Sequence, residues 1–322
     1  MSVKIKRACC VFVFPVLIFL FFTLISDSFG VQSLKVVFSQ AMIPTVMGFG
    51  MAFCMAAGLF DLSTGVRVIL SASVGGYLAT TLGLGLPGLI IGSIVSGVLM
   101  GIAMGYAFNL FRIPSLVLSL GVVMLFEILC YAFLGSSSMV SVDKSIAFLG
   151  KTPWNFVICA IAGVIFYLLY YRTKFSYNVR VVGGNERLAR NMGINAAKIN
   201  FLSFVIGGAF LGVVGILQIC YTNSISGQLS MGSLNMVFKP MMGVMIGMEL
   251  LSLMDNLALN ILIGELCISL IFNGLLAVGL PSSMQDTVLG IFMIAVLAIS
   301  ANRGKLQHYF QKKKLLRSLS AH

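Results

Sequence analysis

Two glutamates lie in apolar stretches of the sequence, where an acidic side chain is unexpected. Glu127 and Glu265 are flanked by long runs of aliphatic and aromatic residues, and Glu249 lies in a less apolar run. An ionisable group inside a membrane is costly and usually marks a transport pathway or a proton relay. These acids keep an ion-coupled secondary transporter open as an interpretation. The alternative, which we favour, is that they are uncharged or hydrogen-bonded to neighbouring helices.

The sequence offers few other groups for chemistry. Its two histidines, His308 and His322, lie near the C-terminus, so the pattern of a His-Glu-x-x-His zinc site is absent, as is a Ser–His pair within the membrane. Gly304-Lys305 is followed by Leu306 and lacks the glycine-rich lead of a phosphate-binding loop. We therefore expect no catalytic residue, no metal and no cofactor, and an energy source outside this chain.

The composition is that of a membrane protein. Of the 322 residues, 59% are hydrophobic and 9% are charged, against roughly 45–50% and 25% in soluble domains. This apolar content excludes disorder. The seven cysteines lie in apolar stretches without paired spacing, which excludes a disulfide scaffold. The net charge of +12 indicates basic cytoplasmic loops more than a nucleic-acid surface.

Apolar runs of membrane-spanning length predict an all-α, polytopic protein with about ten transmembrane helices. The seven clearest spans are Ala8–Ile25, Met42–Phe60, Pro87–Phe108, Pro114–Leu134, Trp154–Tyr171, Ile199–Tyr221 and Leu257–Leu280. Three weaker spans are Val66–Gly83, Met236–Leu253 and Thr287–Ala301. No linker or repeat divides the chain, so we expect one transmembrane domain over 1–301 and a basic cytoplasmic tail over 302–322 that contacts membrane lipid.

The distribution of basic residues predicts the orientation. With ten spans and the N-terminus inside, 17 of the 21 Lys and Arg residues fall in cytoplasmic segments, and the opposite orientation would invert that ratio. The four assigned to outside segments are Lys35, Lys144, Lys151 and Lys239. Both termini are therefore predicted to be cytoplasmic.

The first apolar run also follows basic residues, as in a signal peptide, but its length and the lack of an Ala-x-Ala site favour a retained helix.

The one long polar loop on the predicted cytoplasmic side covers residues 172–198. Gly183 and Gly184 are expected to break the chain, and Asn185 to cap a short helix. Gly193 is suited to the left-handed residue that ends such a helix. Glu186 and Arg190 form a favourable pair one turn apart, and Asn195 is expected to cap the next span. Leu188, Ala189 and Met192 are expected to form an exposed apolar ridge between the charges. The loop is either a docking surface for a partner or a solvated connector.

Two further patterns indicate helix capping and helix packing. Asp61, with Ser63 and Thr64, precedes a weaker span, and we favour a capping role for it over the alternative of direct contact with the substrate. Glycines recur at every fourth position on two predicted helices, a spacing that lets helices approach closely within a membrane. They are Gly97, Gly101, Gly105, Gly208 and Gly212.

Several stretches resemble the ribose-type inner-membrane permeases of ABC importers. Val182-Gly-Gly-Asn-Glu-Arg-Leu-Ala-Arg-Asn-Met-Gly-Ile-Asn195 is similar to the loop signature of that family, which forms its coupling helix. Gly58-Leu-Phe-Asp-Leu-Ser-Thr-Gly65 and Arg112-Ile-Pro-Ser-Leu-Val-Leu-Ser-Leu-Gly121 resemble two further family motifs, and the glycine-rich Phe201–Leu217 resembles the helix after the coupling loop. The matches follow one another in order from about residue 45 to 301.

The resemblance implies a permease subunit of the branched-chain amino acid/ribose type in the plasma membrane of a bacterium. It implies an ABC ATPase subunit, an extracytoplasmic solute-binding protein and a second permease copy as partners, and a sugar such as ribose as the solute. Nucleosides and amino acids are the alternatives. The residues that the motifs assign to ATPase coupling are Gly184, Asn185, Glu186, Leu188, Ala189, Arg190, Gly193 and Ile194. Asp61 and Ser63 occupy the family signature beside a possible path.

One stretch departs from the family pattern. Where the family usually carries a Gly-Thr-Ser sequence, the segment Pro240–Leu251 has Met248-Glu249-Leu250. If this segment lines the path or contacts a partner, the solute or the coupling differs from that of a typical member.

Overall fold

A computed structural model describes residues 3–26, 29–135 and 139–281, together with single positions between 284 and 298. Within these residues the chain is almost entirely helical. The helices are α1 (Val3–Ile25), α2 (Val31–Ala56), α3 (Thr64–Thr80), α4 (Gly85–Phe111), α5 (Ser115–Leu134), α6 (Trp154–Arg172), α7 (Lys174–Gly184), α8 (Glu186–Asn191), α9 (Ala196–Thr222), α10 (Asn235–Leu250) and α11 (Leu257–Ala277). Strands β1 (Met139–Ser141) and β2 (Ser224–Ser226) pair antiparallel, with Val140 opposite Ile225.

Six helices are long and apolar enough to cross a membrane, namely α2, α4, α5, α6, α9 and α11. The prediction of an all-α polytopic protein is therefore confirmed at this level. The weaker spans form shorter helices, with 17 residues in α3 and 16 in α10. The last predicted span, Thr287–Ala301, lies largely outside the described residues, as does the tail 302–322. The count of ten spans and the cytoplasmic termini stay predictions.

The two ends of the helical bundle differ in structure. At one end, α2, α4 and α6 finish and α9 and α11 begin, and the short helices α7 and α8 lie there. The hydroxyl of Tyr171, at the end of α6, accepts a 2.8 Å hydrogen bond from the backbone N–H of Leu257 at the start of α11. At the other end, β1 and β2 connect α5 to α6 and α9 to α10. Since 172–198 is the polar loop, we call the first the loop end and the second the strand end.

Helix α9 lies at the centre of the bundle because its glycines admit neighbouring backbones. Gly97 of α4 packs against Gly208 and Gly212 of α9, so closely that an added Cβ would overlap backbone atoms of both. Gly207 of α9 makes a similarly close contact with Gly50 of α2. The predicted role of the glycine spacing in helix packing is confirmed.

We expect Gly97→Ala to destabilise the protein, because rotamer changes cannot move the backbone atoms that a Cβ would meet. Overpacking of this kind costs about 1–3 kcal/mol. The measurement is the temperature of half-aggregation of the detergent-solubilised protein. Gly121→Ala in α5 is the control, since nothing lies within 4 Å of its added Cβ. Equal stability of the two variants would contradict the packing argument.

Candidate functional site: the polar loop and a cavity within the helices

Residues 172–198 form two consecutive helices joined at a cap. The side chain of Asn185 accepts a 3.1 Å hydrogen bond from the backbone N–H of Leu188, so that α8 begins as predicted. Gly193 has a φ of +78° and follows the end of α8, which confirms its predicted left-handed conformation. Asn195 then accepts a 3.1 Å hydrogen bond from the N–H of Lys198 and caps α9, also as predicted.

Two sequence predictions about this loop are wrong. Gly183 and Gly184 do not interrupt the helix, because they are the last two residues of α7 and the break follows them at Asn185. Gly183 instead permits a close contact, since an added Cβ there would overlap the carbonyl of Ala56 at the end of α2. Ala189 is not part of an exposed ridge. It is fully buried, packed in a cluster of apolar side chains that includes residues of α7 and α9.

The outer face of α8 is apolar between two charges. Leu188 is 55% exposed and Met192 is 60% exposed. Glu186 and Arg190 form an exposed salt bridge at 2.6 Å across one turn of the helix. Beside α8 a polar groove of about 970 Å³ runs between the loop after α2 and the end of α4, and Arg112 and Ile194 line it. The inner face of α8 is thus anchored by Ala189, while its outer face is more than half exposed at Leu188 and Met192.

A buried ion pair lies behind this loop, at the loop end of the bundle. Asp61 accepts hydrogen bonds from the backbone N–H of Ser63 at 2.9 Å and from its hydroxyl at 2.5 Å. Its second carboxylate oxygen pairs with the guanidinium of Arg67 at 2.9 Å, and both side chains are at most 2% exposed. The N-cap of α3 is Ser63, and no side chain makes a capping hydrogen bond there, so the prediction that Asp61 caps this helix is wrong. Asp61 instead fixes Ser63 before the helix and forms a salt bridge with Arg67 that the sequence did not indicate.

Arg67 also connects α3 to α9. Its guanidinium donates a 3.0 Å hydrogen bond to the carbonyl oxygen of Phe204 in α9. An added Cβ at Gly101 or Gly208 would lie against the same guanidinium, so these glycines make room for it. The ion pair thus joins the loop after α2 to the central helix. The charge of Arg67 had suggested a cytoplasmic segment, whereas the side chain is buried among helices.

Glu127 is hydrogen-bonded, as the favoured alternative predicted. It is 2% exposed, and its carboxylate oxygens accept hydrogen bonds from the backbone N–H groups of Met231, at 2.8 Å, and Ser233, at 3.0 Å. Ser230 and Met231 are both left-handed, with φ of +58° and +63°. Glu127 of α5 therefore fixes the turn that leads into α10.

Glu265 behaves differently. Its side chain is fully buried, and neither carboxylate oxygen has a hydrogen-bond partner among the described residues. The favoured alternative was an uncharged or a hydrogen-bonded acid, and for Glu265 the hydrogen bond to a neighbouring helix is not found among the described residues. The carboxyl group lies against Gly243 of α10 and Gly48 of α2, which leave room for it.

Glu265 forms part of the wall of a cavity of about 560 Å³ between α2, α9, α10 and α11. The cavity lies towards the strand end, since Gln218 and Thr222 from the last turns of α9 line it. Its other polar lining residues are Gln40, Asn235, Lys239, Ser269, Asn273 and Gln285. Pro44 of α2 and Pro240 of α10 line it as well, whereas Met248, Glu249 and Leu250, which depart from the family pattern, are not among its lining residues.

No sequence pattern indicates Lys239, Gln218 or Asn273 as site residues. The feature that could have marked Lys239 is its charge within a weakly apolar span, but the distribution of basic residues assigns it to an outside segment. In the structure its ammonium group lies 3.2 Å from the ring centre of Phe272. Among the described residues no group of three or more His, Cys, Asp or Glu side chains could hold a metal ion.

Comparison with known proteins identifies the family. The sequence profile described as "Branched-chain amino acid transport system / permease component" matches residues 33–297. The "Probable ABC transporter permease protein YphD" of Escherichia coli K12 is 30% identical over 60% of this chain and 58% of its own length. The autoinducer 2 import system permease protein LsrC of Salmonella paratyphi B is 23% identical over 97% of this chain and 89% of its own.

Two further similarities were found. The galactofuranose transporter permease protein YtfT of Escherichia coli K12 is 24% identical over 83% of this chain and 79% of its own. Among solved structures, an ABC transporter in an inward-facing conformation aligns over 91% of this chain and 99% of its own, with a TM-score of 0.46 and 19% identity.

We expect Asp61→Asn to destabilise the protein strongly, because it leaves the charge of Arg67 buried without a counter-ion. Breaking one partner of a buried pair costs about 3–5 kcal/mol. The double variant Asp61→Asn/Arg67→Met is expected to be more stable than Asp61→Asn alone, since it removes both charges. Thermal stability in detergent measures both effects.

The exposed pair of α8 provides the control for this experiment. Glu186→Gln removes a salt bridge whose side chains are 50% and 67% exposed, and such surface pairs across one helical turn contribute about 0.3–0.5 kcal/mol. A loss of stability in Glu186→Gln as large as that in Asp61→Asn would contradict the structural role assigned to Asp61 and Arg67.

Proposed function

Because this chain belongs to the family of permease components of branched-chain amino acid transport systems, we propose that it is a sugar-transporting member. It is a multi-pass membrane permease of the ABC importer type. In our proposal it carries a monosaccharide such as ribose across the plasma membrane of a bacterium. The chain would perform no covalent chemistry, and a separate ATPase subunit would supply the energy.

The support for a sugar comes from the relatives and from one motif. YtfT is a permease for galactofuranose, a monosaccharide, and its similarity extends over most of this chain. The segment Asp61-Leu62-Ser63 resembles the signature of the ribose-type group. Amino acids, which the family description names, and nucleosides are the alternatives. Specificity in such importers rests largely on the separate solute-binding protein, so the solute class is the finest level we propose.

The observation that carries the proposed coupling role is the position of α8. Its inner residue Ala189 is fully buried, whereas Leu188 and Met192 on its outer face are exposed. A short helix held on one side and apolar on the other suits docking into a groove of a partner. We place the ATPase contact on residues 184–194, with Leu188 and Met192 as its apolar centre and the Glu186–Arg190 pair at its edge.

Motion of α8 would reach the membrane helices through backbone contacts. Gly183 of α7 packs on Ala56 at the end of α2, and the loop that follows α2 holds Asp61. Asp61 pairs with Arg67 of α3, which in turn bonds Phe204 of α9. In our proposal, closure of the ATPase pair pushes α8 and tilts α2, α3 and α9 as rigid bodies, so that the solute path opens alternately to each side.

The remaining partners follow from the family architecture. Two permease copies would enclose the path, either identical or related, and an extracytoplasmic binding protein would deliver solute. With both termini in the cytoplasm, the loop end faces the ATPase and the strand end faces the binding protein.

The first experiment is purification of the tagged chain from its native membrane in a mild detergent, with identification of the proteins that co-purify. We expect an ABC ATPase and an extracytoplasmic solute-binding protein, and we expect that binding protein to hold a monosaccharide. A chain that purifies alone in several mild detergents would count against the importer. A binding protein loaded with an amino acid or nucleoside would contradict the sugar assignment alone.

We expect Leu188→Ser to reduce both ATPase co-purification and uptake at least about tenfold, because it removes an apolar anchor from the proposed contact. Leu84→Ser is the matched control for ATPase co-purification. Leu84 is equally exposed, at 55%, but lies between α3 and α4 at the strand end. The two variants should reach equal levels in the membrane. Full ATPase recovery with Leu188→Ser would contradict the docking role of α8.

A further inference from the structure

The cavity between α2, α9, α10 and α11 contains one group whose chemistry is unsatisfied. Both carboxylate oxygens of Glu265 lack a hydrogen-bond partner among the described residues, although the side chain is fully buried. Buried polar groups nearly always have partners in folded proteins, and the exceptions call for an explanation. A ligand that enters the cavity and donates hydrogen bonds would supply one.

The other polar groups of the cavity are placed to share such a ligand. Asn273 donates a 2.9 Å hydrogen bond to the side-chain oxygen of Gln40, which holds both amides in position and leaves the Oδ1 of Asn273 and the Nε2 of Gln40 unbonded among the described residues. The side chain of Gln218 also has no hydrogen bond within the described part of the chain, and it lines the same cavity. Donors and acceptors therefore occur together.

The charge and shape of the cavity favour a neutral, hydroxylated solute. Lys239 and Glu265 both line the cavity, so its wall carries one basic and one acidic side chain and no excess of either kind. The ring of Phe272 adds an apolar face. The volume of about 560 Å³ lies within the range of small-molecule sites, roughly 300–1,000 Å³.

The helices around Glu265 are built to accept its carboxyl group. A side chain at Gly243 would overlap the carboxyl, and an added Cβ at Gly48 would lie 3.4 Å from its Oε1. These two glycines therefore keep the space beside the acid free of side chains. Glu265 thus lines the cavity on the side towards the loop end, while Gln40 and Thr222 lie nearer the strand end.

From these observations we propose that this cavity is a solute subsite on the transport path, in which Glu265 accepts hydrogen bonds from hydroxyl groups of the solute. The proposal rests on the proposed function, since it assigns the sugar hydroxyls to particular residues. Glu265 is then a determinant of solute affinity in the permease itself, in addition to the specificity of the binding protein.

The first test is uptake of radiolabelled D-ribose by cells that express the chain with the partners recovered by co-purification. Glu265→Gln keeps the size of the side chain but replaces one acceptor oxygen by a donor. We expect it to raise the KM at least about tenfold, with the maximal rate changed less than twofold and an unchanged membrane level. A KM equal to that of the unsubstituted protein, or a loss explained by lower membrane level alone, would overturn the proposal.

Asn260→Ser is the control for loss of a buried polar group from the same helix. Asn260 lies in α11 and is fully buried, but it does not line the cavity and instead donates a hydrogen bond to the carbonyl of Met254. We expect this variant to lower the amount of folded protein without moving the KM for D-ribose. A KM shift as large as that of Glu265→Gln would show that the effect is structural, and would contradict the subsite.

A second test does not depend on the solute. In intact cells, the membrane-impermeant thiol reagent 2-sulfonatoethyl methanethiosulfonate is expected to modify Glu265→Cys from outside, since the cavity lies towards the strand end. Asn260→Cys should stay unmodified, because Asn260 does not line the cavity. The unsubstituted protein, which carries seven native cysteines, gives the background that the signal from Glu265→Cys must exceed. Failure to modify Glu265→Cys would overturn the subsite. If the unsubstituted protein imports no D-ribose while Glu265→Cys is modified, the sugar assignment is contradicted and the cavity is retained.

Discussion

Direct backbone contact between α9 and its neighbours is the constraint on which the rest of this structure depends. Within a membrane the lipid is as apolar as the helices, so helix association relies on close packing and on hydrogen bonds. Gly97, Gly208 and Gly212 bring α4 and α9 together with no side chain between them, and Gly50 and Gly207 do the same for α2 and α9. This arrangement leaves little room for small adjustments, so α9 and its partners are expected to move together.

The charged groups are distributed according to that packing. Arg67 occupies a space that exists because two glycines face it, and its bond to Phe204 fixes α3 on α9. Glu127 performs an equivalent task at the strand end, where it fixes the turn before α10 from its position on α5. Glu265 differs from both because its space between Gly48 and Gly243 contains no donor among the described residues. Of these three buried ionisable side chains, Arg67 and Glu127 have structural roles, and Glu265 is the one for which we propose a ligand.

Sequence alone predicts the features whose causes are local. Asn185, Gly193 and Asn195 cap or end helices through groups within a few residues, and the apolar runs are long enough to identify the main spans. The partners of Glu127 lie more than one hundred residues away in the chain, at Met231 and Ser233, and no local pattern indicates them. Likewise α7 contains valines and two glycines that disfavour a helix, and it forms because Val179 and Val182 are buried against the bundle.

The two prolines of the cavity have a consequence for stiffness. Proline has no N–H, so the carbonyls of Gln40 and Met236, four residues before Pro44 and Pro240, lose their usual helical donors. Both of these residues also line the cavity. Helices α2 and α10 are therefore weakest in bending where they border this space. The helices α2 and α10 therefore bend more easily beside the cavity than the glycine-packed helices do elsewhere. A solute bound in the cavity could be accommodated by bending of these two helices, while α4 and α9 keep their packing.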